Sequence, residues 1–504
     1  MKKFLILLLI LTGSGAFAVP EKIDMSKWQY NSVENVFYQL GIPYCDNPAD
    51  VKLEKIAIFV PAQYLNCISN GDNTYSCKIN KISQINDYTP LTAPIVMPIE
   101  DTNYIPVPAL NEYKSVWDYT KEGFIYIHAG YRGNEYNVPA GVVDLKAAVK
   151  YIKYNKNIIP GNMNRIFSFG MDSGGTQSLL LGLTGNNDYF KPYLKEIGAI
   201  EKTDDSIYGS MAWCPTINAD MANEAYEWNF GASRTDVDEK TKKLSDKMAM
   251  DYAQYINEEK FRREDGTLLE LRETNKGICK GGSYYNYLEK VVNQSFTNFL
   301  ADNLFPVDMN KYGKEELNII LSEEDNSENC TEQESNPDNN TDEKEKEQKH
   351  NLIFNSGEEY VNYLNSNSEN KWIDYDSATY SAKITRFDDF SKTMKLATKP
   401  VGAFKNPEPD MAIYNPFYYI MPNCKGYKTS KAAKFFRIRT GISQADTPLT
   451  TEVNLSLALK KYCGNKKVDY ETVWAMGHVK AERRGTPEFN LIRWVNKCTT
   501  KSNK

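Results

Sequence analysis

The chain opens its ordered part with short apolar runs separated by amphipathic stretches, and the two periods can be told apart along its length. Residues 55–61, carrying Ile56, Ala57, Ile58, Phe59 and Val60, form a β-rich run that predicts the start of a sheet. The next thirty residues read as a hairpin. Phe124-Ile125-Tyr126-Ile127-His128 predicts another strand, followed by Ala129-Gly130-Tyr131-Arg132-Gly133. Residues 140–153 then set Val142, Val143, Leu145, Val149 and Ile152 on one stripe, the period of a helix. A buried strand is predicted over 165–169, an apolar helix over 176–183, and a strand over 207–213 that ends in Cys214-Pro215. Strands and helices in alternation imply a parallel sheet with crossover helices, an α/β protein.

From 218 to 398 the pattern changes. Charged helical stretches (236–255, 268–275) and the cluster Tyr284-Tyr285-Asn286-Tyr287 replace the strands. Segment 322–351 is rich in Glu, Asn, Asp and Lys, with too few apolar residues to order itself. The block reads as a mainly helical cap inserted between two parts of a core, 19–217 and 399–504. The sheet pattern returns with a strand at 433–439, a helix at 451–462, a strand at 469–475 with His478 directly after it, and an amphipathic helix at 489–495.

The N-terminus adds an address. Lys2 and Lys3 precede the apolar run 4–12, and Ala16-Phe17-Ala18 has the small-x-small form that signal peptidase accepts, so 1–18 is expected to be a secretory signal and the protein exported, periplasmic or extracellular. No later apolar run has transmembrane length, and no membrane span is expected. Export permits disulfides, and nine cysteines leave one over. Cys67 and Cys77 bracket a turn signal and form the best local pair, Cys463 and Cys498 are a candidate bridge for the last helix, and Cys214 reads as a buried thiol. None has zinc-ligand spacing, so no metal or cofactor is expected. A net charge of −6 gives no reason to expect nucleic acid; the expected partner is a small molecule.

The chemistry concentrates at Phe169-Gly170-Met171-Asp172-Ser173-Gly174-Gly175. A strand, a glycine-flanked turn and a helix form the context in which α/β-hydrolases expose a nucleophile over the sheet edge. In the usual G-x-S-x-G pattern the third residue is serine; here it is Asp172, and Ser173 follows one place late. Of three histidines, His350 lies in the acidic segment and His128 ends a strand where it shapes the next loop, which leaves His478 as the base. The glycines from Gly130, with Tyr131, suit a loop whose N–H groups face an oxyanion, together with the Ser173-Gly174 end of the turn. A carboxylate on such a turn can attack sp³ carbon, after which a His-activated water splits the enzyme ester; the scheme needs the His oriented by a carboxylate, for which Asp446 is the nearest candidate. Against a carbonyl it would give only an anhydride.

The Gly130 loop, Pro139-Ala140-Gly141-Val142-Val143-Asp144, Ile159-Pro160-Gly161-Asn162, the Gly170 turn, Tyr193-Leu194-Lys195-Glu196-Ile197-Gly198, Ala225-Tyr226-Glu227-Trp228 and the region from Arg437 to His478 resemble the bacterial tannases of subtype B and feruloyl-esterase-like α/β-hydrolases. The resemblance implies an α/β-hydrolase with a large cap and a Ser/Asp/His triad acting on gallate-type esters. It puts the nucleophile position on Asp172 and the base on His478. Anchored on Thr447, it puts the acid on Gln444 and a ligand for phenolic hydroxyls on Asp446. Glu408 and Lys399 (or Lys395) match other substrate-contacting positions. Two readings follow: an exported hydrolase of aromatic esters with an altered nucleophile position, or an inactive hydrolase-fold protein that binds a phenolic or other small ligand.

Overall fold

The computed structural model describes residues 19–100, 103–136, 139–217, 221–231, 238–275, 279–309, 353–366, 413–442, 444 and 448–500. The expected signal (1–18) and acidic segment (322–351) lie outside these residues, as do His350, Lys395, Lys399, Glu408 and Asp446.

Nine strands build one sheet. In chain order they are β1 (Gln29–Asn31), β2 (Val36–Pro43), β3 (Lys55–Pro61), β6 (Ile95–Ile99), β7 (Ile125–Ala129), β8 (Ile166–Met171), β9 (Gly209–Trp213), β12 (Phe435–Gly441) and β13 (Val468–Val473). A hairpin of β4 (Leu65–Ser69) and β5 (Tyr75–Ile79), and a short pair β10 (Val307–Asp308) and β11 (Ile353–Phe354), stand apart. The sheet order is β1-β2-β3-β7-β6-β8-β9-β12-β13. The first three pairings are antiparallel and every pairing from β7 onward is parallel. The α/β class read from the sequence holds. Strands β6, β7, β9 and β12 are buried along their whole length, as expected of parallel strands covered on both faces.

Two features of the sheet were not legible. The edge strand β1, Gln29-Tyr30-Asn31, carries little apolar signal, because its residues are exposed or half-buried. The central strand β6, Ile95-Val96-Met97-Pro98-Ile99, contains a proline, which ordinarily argues against a central strand because it removes a ladder donor. This omission has consequences, since β6 inserts between β7 and β8 although it precedes both in sequence.

Between the strands run α1 (Trp117–Thr120), α2 (Ala140–Tyr154), α3 (Asp172–Leu183) and α4 (Lys191–Glu196); between β9 and β12 run α5 (Ala222–Phe230), α6 (Glu239–Glu259) and α7 (Ser283–Asp302). This second group reaches the core through side chains: Phe296 meets Trp474 at 4.7 Å, Ser295 donates to the Thr472 carbonyl, and Tyr284 donates to Asn454 on the helix Leu449–Cys463. Among the described residues no helix is long and apolar enough to cross a membrane. Cys67 and Cys77 face each other across β4 and β5 and are disulfide-bonded. Cys463 is a free thiol, so the bridge expected between it and Cys498 does not form.

The segment after β13, which carries His478, is tied to the sheet by a buried ion pair. Arg437 on β12 binds Glu482 through two parallel bonds of 2.5 and 2.6 Å, and the Trp213 indole on β9 donates to the same carboxylate. Removing one partner of a buried pair leaves the other charge uncompensated. Glu482→Gln is therefore expected to lower the stability of the protein by about 3–5 kcal/mol, read from urea denaturation.

Candidate active site

Five strands deliver the site from their C-terminal ends, where open parallel sheets hold their ligands. At the end of β8, Asp172 opens α3 with φ 52°, a left-handed conformation that costs a non-glycine residue energy and that Asp tolerates better than most. The turn is tight enough to require Gly170: a Cβ there would lie 2.5 Å from the Gly174 carbonyl and 2.7 Å from the Ile99 oxygen. Asp172 is thereby pushed out from the sheet edge toward its neighbours.

From β13 comes His478, whose Nε2 lies 3.5 Å from Asp172 Oδ1. From the loop after β9, Thr216 donates to the same oxygen at 2.6 Å. The N–H of Asn103, after β6, donates to Oδ2 at 3.1 Å. Burial alone would raise the Asp172 pKa. The hydrogen bond and charge of His478, with the bonds from Thr216 and Asn103, outweigh burial and hold it at about 2. The carboxylate is ionised throughout the neutral range. From the end of β12, Gln444 presents Oε1 to His478 Nδ1 at 3.0 Å. Asp172, His478 and Gln444, read from sequence as a set, are thus brought together in line; Asp446, Glu408 and Lys399 fall outside the described residues.

The glycine loop does something other than expected. The N–H groups of Gly130, Tyr131 and Arg132 are committed to Lys55 O, Val107 O and the Asp144 carboxylate. The reason is topological: with β6 interleaved, the loop after β7 sits one strand further from Asp172 than its place in the sequence suggests. Its glycines serve close approach instead. A Cβ on Gly133 would lie 2.4 Å from Ile105 C, Pro106 N and Tyr104 O, so the loop buttresses segment 103–106, and Asn134 N–H binds the Tyr104 carbonyl. That segment bears the N–H facing Asp172. Its residues Asn103 and Tyr104 both have positive φ, 55° and 57°, and no sequence motif marks them. Ser173 is buried, and its hydroxyl accepts from the Tyr104 N–H, which engages it in holding the loop. His128 is buried beside Pro108 O and Glu100, and burial lowers its pKa. Cys214 is buried, its thiol pushed up to about 12 by desolvation. Among the described residues no group of three or more His, Cys, Asp or Glu is placed to hold a metal ion.

Comparison with known proteins agrees with this architecture. Residues 108–254 match the BD-FAE family model. The structure of a tannin acyl hydrolase in complex with 3,4-dihydroxybenzoate superposes with a TM-score of 0.63 at 22% identity, covering 95% of this chain and 98% of that one. Fusobacterium nucleatum tannase superposes at 0.61 with 24% identity, covering 94% and 97%, and Lactobacillus plantarum tannase at 0.62 with 22%, covering 95% and 98%. The fold is that of the tannases. No curated protein matches the chain by sequence. The likeness to tannases and feruloyl-esterase-like hydrolases read from the motifs is met both by the BD-FAE match and by these structures. On the tannase fold, Asp172 occupies the strand-to-helix turn and His478 the loop after the last strand.

Because the folded pKa of Asp172 lies below the ordinary value of about 3.9, its ionised form contributes stability that is present above that value and lost as pH falls through about 2. The stability difference between the protein and Asp172→Asn is expected to narrow as pH falls from about 6 to about 2.5, measured by denaturant titration at each pH.

Proposed function

We propose that the chain is a hydrolase of small-molecule esters, with esters of aromatic acids as its substrate class and Asp172 as its nucleophile. The supporting observation is the placement of an ionised carboxylate on a strained turn, 3.5 Å from an imidazole whose far nitrogen is held by Gln444. A carboxylate attacking an acyl carbon would expel an alkoxide to make an anhydride, an uphill exchange. Attack on the sp³ carbon of the alcohol portion expels the aromatic carboxylate, a far weaker base, and leaves an alkyl ester on Asp172. His478 then takes a proton from water, the water oxygen adds to Asp172 Cγ, and the alkoxide leaves with that proton as the alcohol. Asn103 N–H supports the carboxylate oxygen on which charge grows in this second step.

The sequence pattern supports export through 1–18, and cap, pocket and ligand contacts at Asp446, Glu408 and Lys399 belong to the same proposal. One observation favours a second reading. The three bonds to Asp172 and its pKa of about 2 weaken it as a nucleophile, which suits a binding protein on a hydrolase frame.

The test is a panel of methyl, benzyl and phenyl esters of gallate-type acids, run with Asp172→Ala and His478→Ala. Methyl and benzyl esters are expected to be cleaved and phenyl esters, which offer no sp³ carbon, to survive. His478→Ala is expected to accumulate an alkyl adduct at Asp172, seen by peptide mass spectrometry. Cleavage of phenyl esters at a comparable rate would rule out the alkyl route. No turnover, with gallate-type acids still raising the melting temperature, would establish the binding reading.

A further inference from the structure

Behind Gln444 lies a residue that no motif singles out. Glu452 sits on the first turn of the helix Leu449–Cys463 and is completely buried. Its Oε1 accepts from Gln444 Nε2 at 2.6 Å, and its Oε2 accepts from the Thr451 hydroxyl at 3.0 Å. Thr440 Oγ1 takes the other contact of Gln444 Nε2, at 2.5 Å. Two acceptors therefore converge on one end of the Gln444 amide, and the opposite end, Oε1, faces His478 Nδ1.

An amide side chain has nearly the same shape either way round, so its partners decide which end faces where. Turned over, Gln444 would put its oxygen against the Thr440 hydroxyl and the Glu452 carboxyl, and its NH₂ against His478. The ring would then have to accept at Nδ1 and keep its proton on Nε2, pointed at Asp172. In the observed orientation Nδ1 keeps a proton in both charge states of the ring: the charged ring also donates from Nε2 to Asp172, and when it gives up one proton the lone pair opens at Nε2, where a general base needs it.

We infer that Glu452 is a positioning residue for His478: acting through Gln444, it fixes the proton on Nδ1 and leaves Nε2 as the basic nitrogen beside Asp172. The line runs Glu452, Gln444, His478, Asp172, and only the last two face the reacting atoms. Burial pushes the Glu452 carboxyl up to about 8 despite its hydrogen bonds, and the amide is held the same way in either state, since Oε1 still accepts from Gln444 when a proton sits on Oε2 beside the Thr451 hydroxyl. The inference deepens the reading of His478 as a base. It is read from the ring proton and not from turnover, so failure of the esterase reading would leave it standing.

The experiment is ¹⁵N-histidine NMR on the full mature protein, with His478 assigned by the loss of its signals in His478→Ala. In the unaltered protein Nδ1 is expected to stay protonated whether the ring is charged or neutral, and its proton to exchange slowly with solvent. Glu452→Leu removes the acceptor and is expected to speed that exchange by about tenfold, the worth of one hydrogen bond, and to return the neutral ring to a mixture of tautomers. Glu452→Gln retains an acceptor oxygen and is expected to restore the Nδ1–H form. A neutral ring protonated on Nε2 in the unaltered protein would overturn the inference whether or not the variants fold. So would a natively folded Glu452→Leu, judged by the unchanged His128 signals, with the same Nδ1–H exchange as its parent.

Discussion

The site depends on where one negative charge is allowed to sit. Asp172 is held ionised beside His478, on a turn where its φ is 52°. That carboxylate is largely buried, and burial alone would protonate it. It stays charged because three donors converge on it from three separate loops: His478 after β13, Thr216 after β9 and Asn103 after β6. Each is a backbone commitment as much as a side-chain one. The sheet is the device that makes the convergence possible, because parallel strands release their following loops at one edge.

Close backbone approach keeps those loops in place, and glycine is what permits it. Gly441 ends β12 where a Cβ would lie 2.0 Å from the Gly477 oxygen, so the strand delivering Gln444 and the loop delivering His478 touch without side chains between them. Gly133 does the same against Tyr104 and Pro106, and Gly170 against Gly174. The Arg437–Glu482 pair clamps the His478 loop from the other side. The site assembled from five strands is thus backed by contacts one layer behind its own hydrogen bonds.

The elements were legible wherever period and burial agreed. The strand over 55–61, the helix over 140–153, the Gly170 turn and the last strand before His478 all stand where the pattern put them, within a residue or two of their limits. What was lost was spatial order. Pro98 hides β6, and without β6 the loop after β7 reads as the neighbour of the turn, so the sequence points to Gly130 where the structure places the Asn103 N–H beside Asp172. Asn103 and Tyr104 carry no signal, since a backbone N–H has no side-chain signature. Glu452 was invisible for a different reason: it reads as an ordinary acidic residue in the first turn of a helix, and only its complete burial sets it apart.

Asp172 and Gln444 look like two separate departures from a Ser/Asp/His pattern, yet electrostatically they are one. A serine, a histidine and an aspartate carry one negative charge, on the Nδ1 side of the ring. Aspartate, histidine and glutamine also carry one, moved to the Nε2 side. An aspartate at the acid position would put a second carboxylate beside the same ring and add one negative charge to a partly buried site. Glutamine preserves the acceptor that Nδ1–H requires while removing the surplus charge, and Glu452 supplies the acceptor that its NH₂ requires in turn. Both ends of the Gln444 amide are thereby matched, its oxygen by His478 Nδ1 and its NH₂ by Glu452 and Thr440.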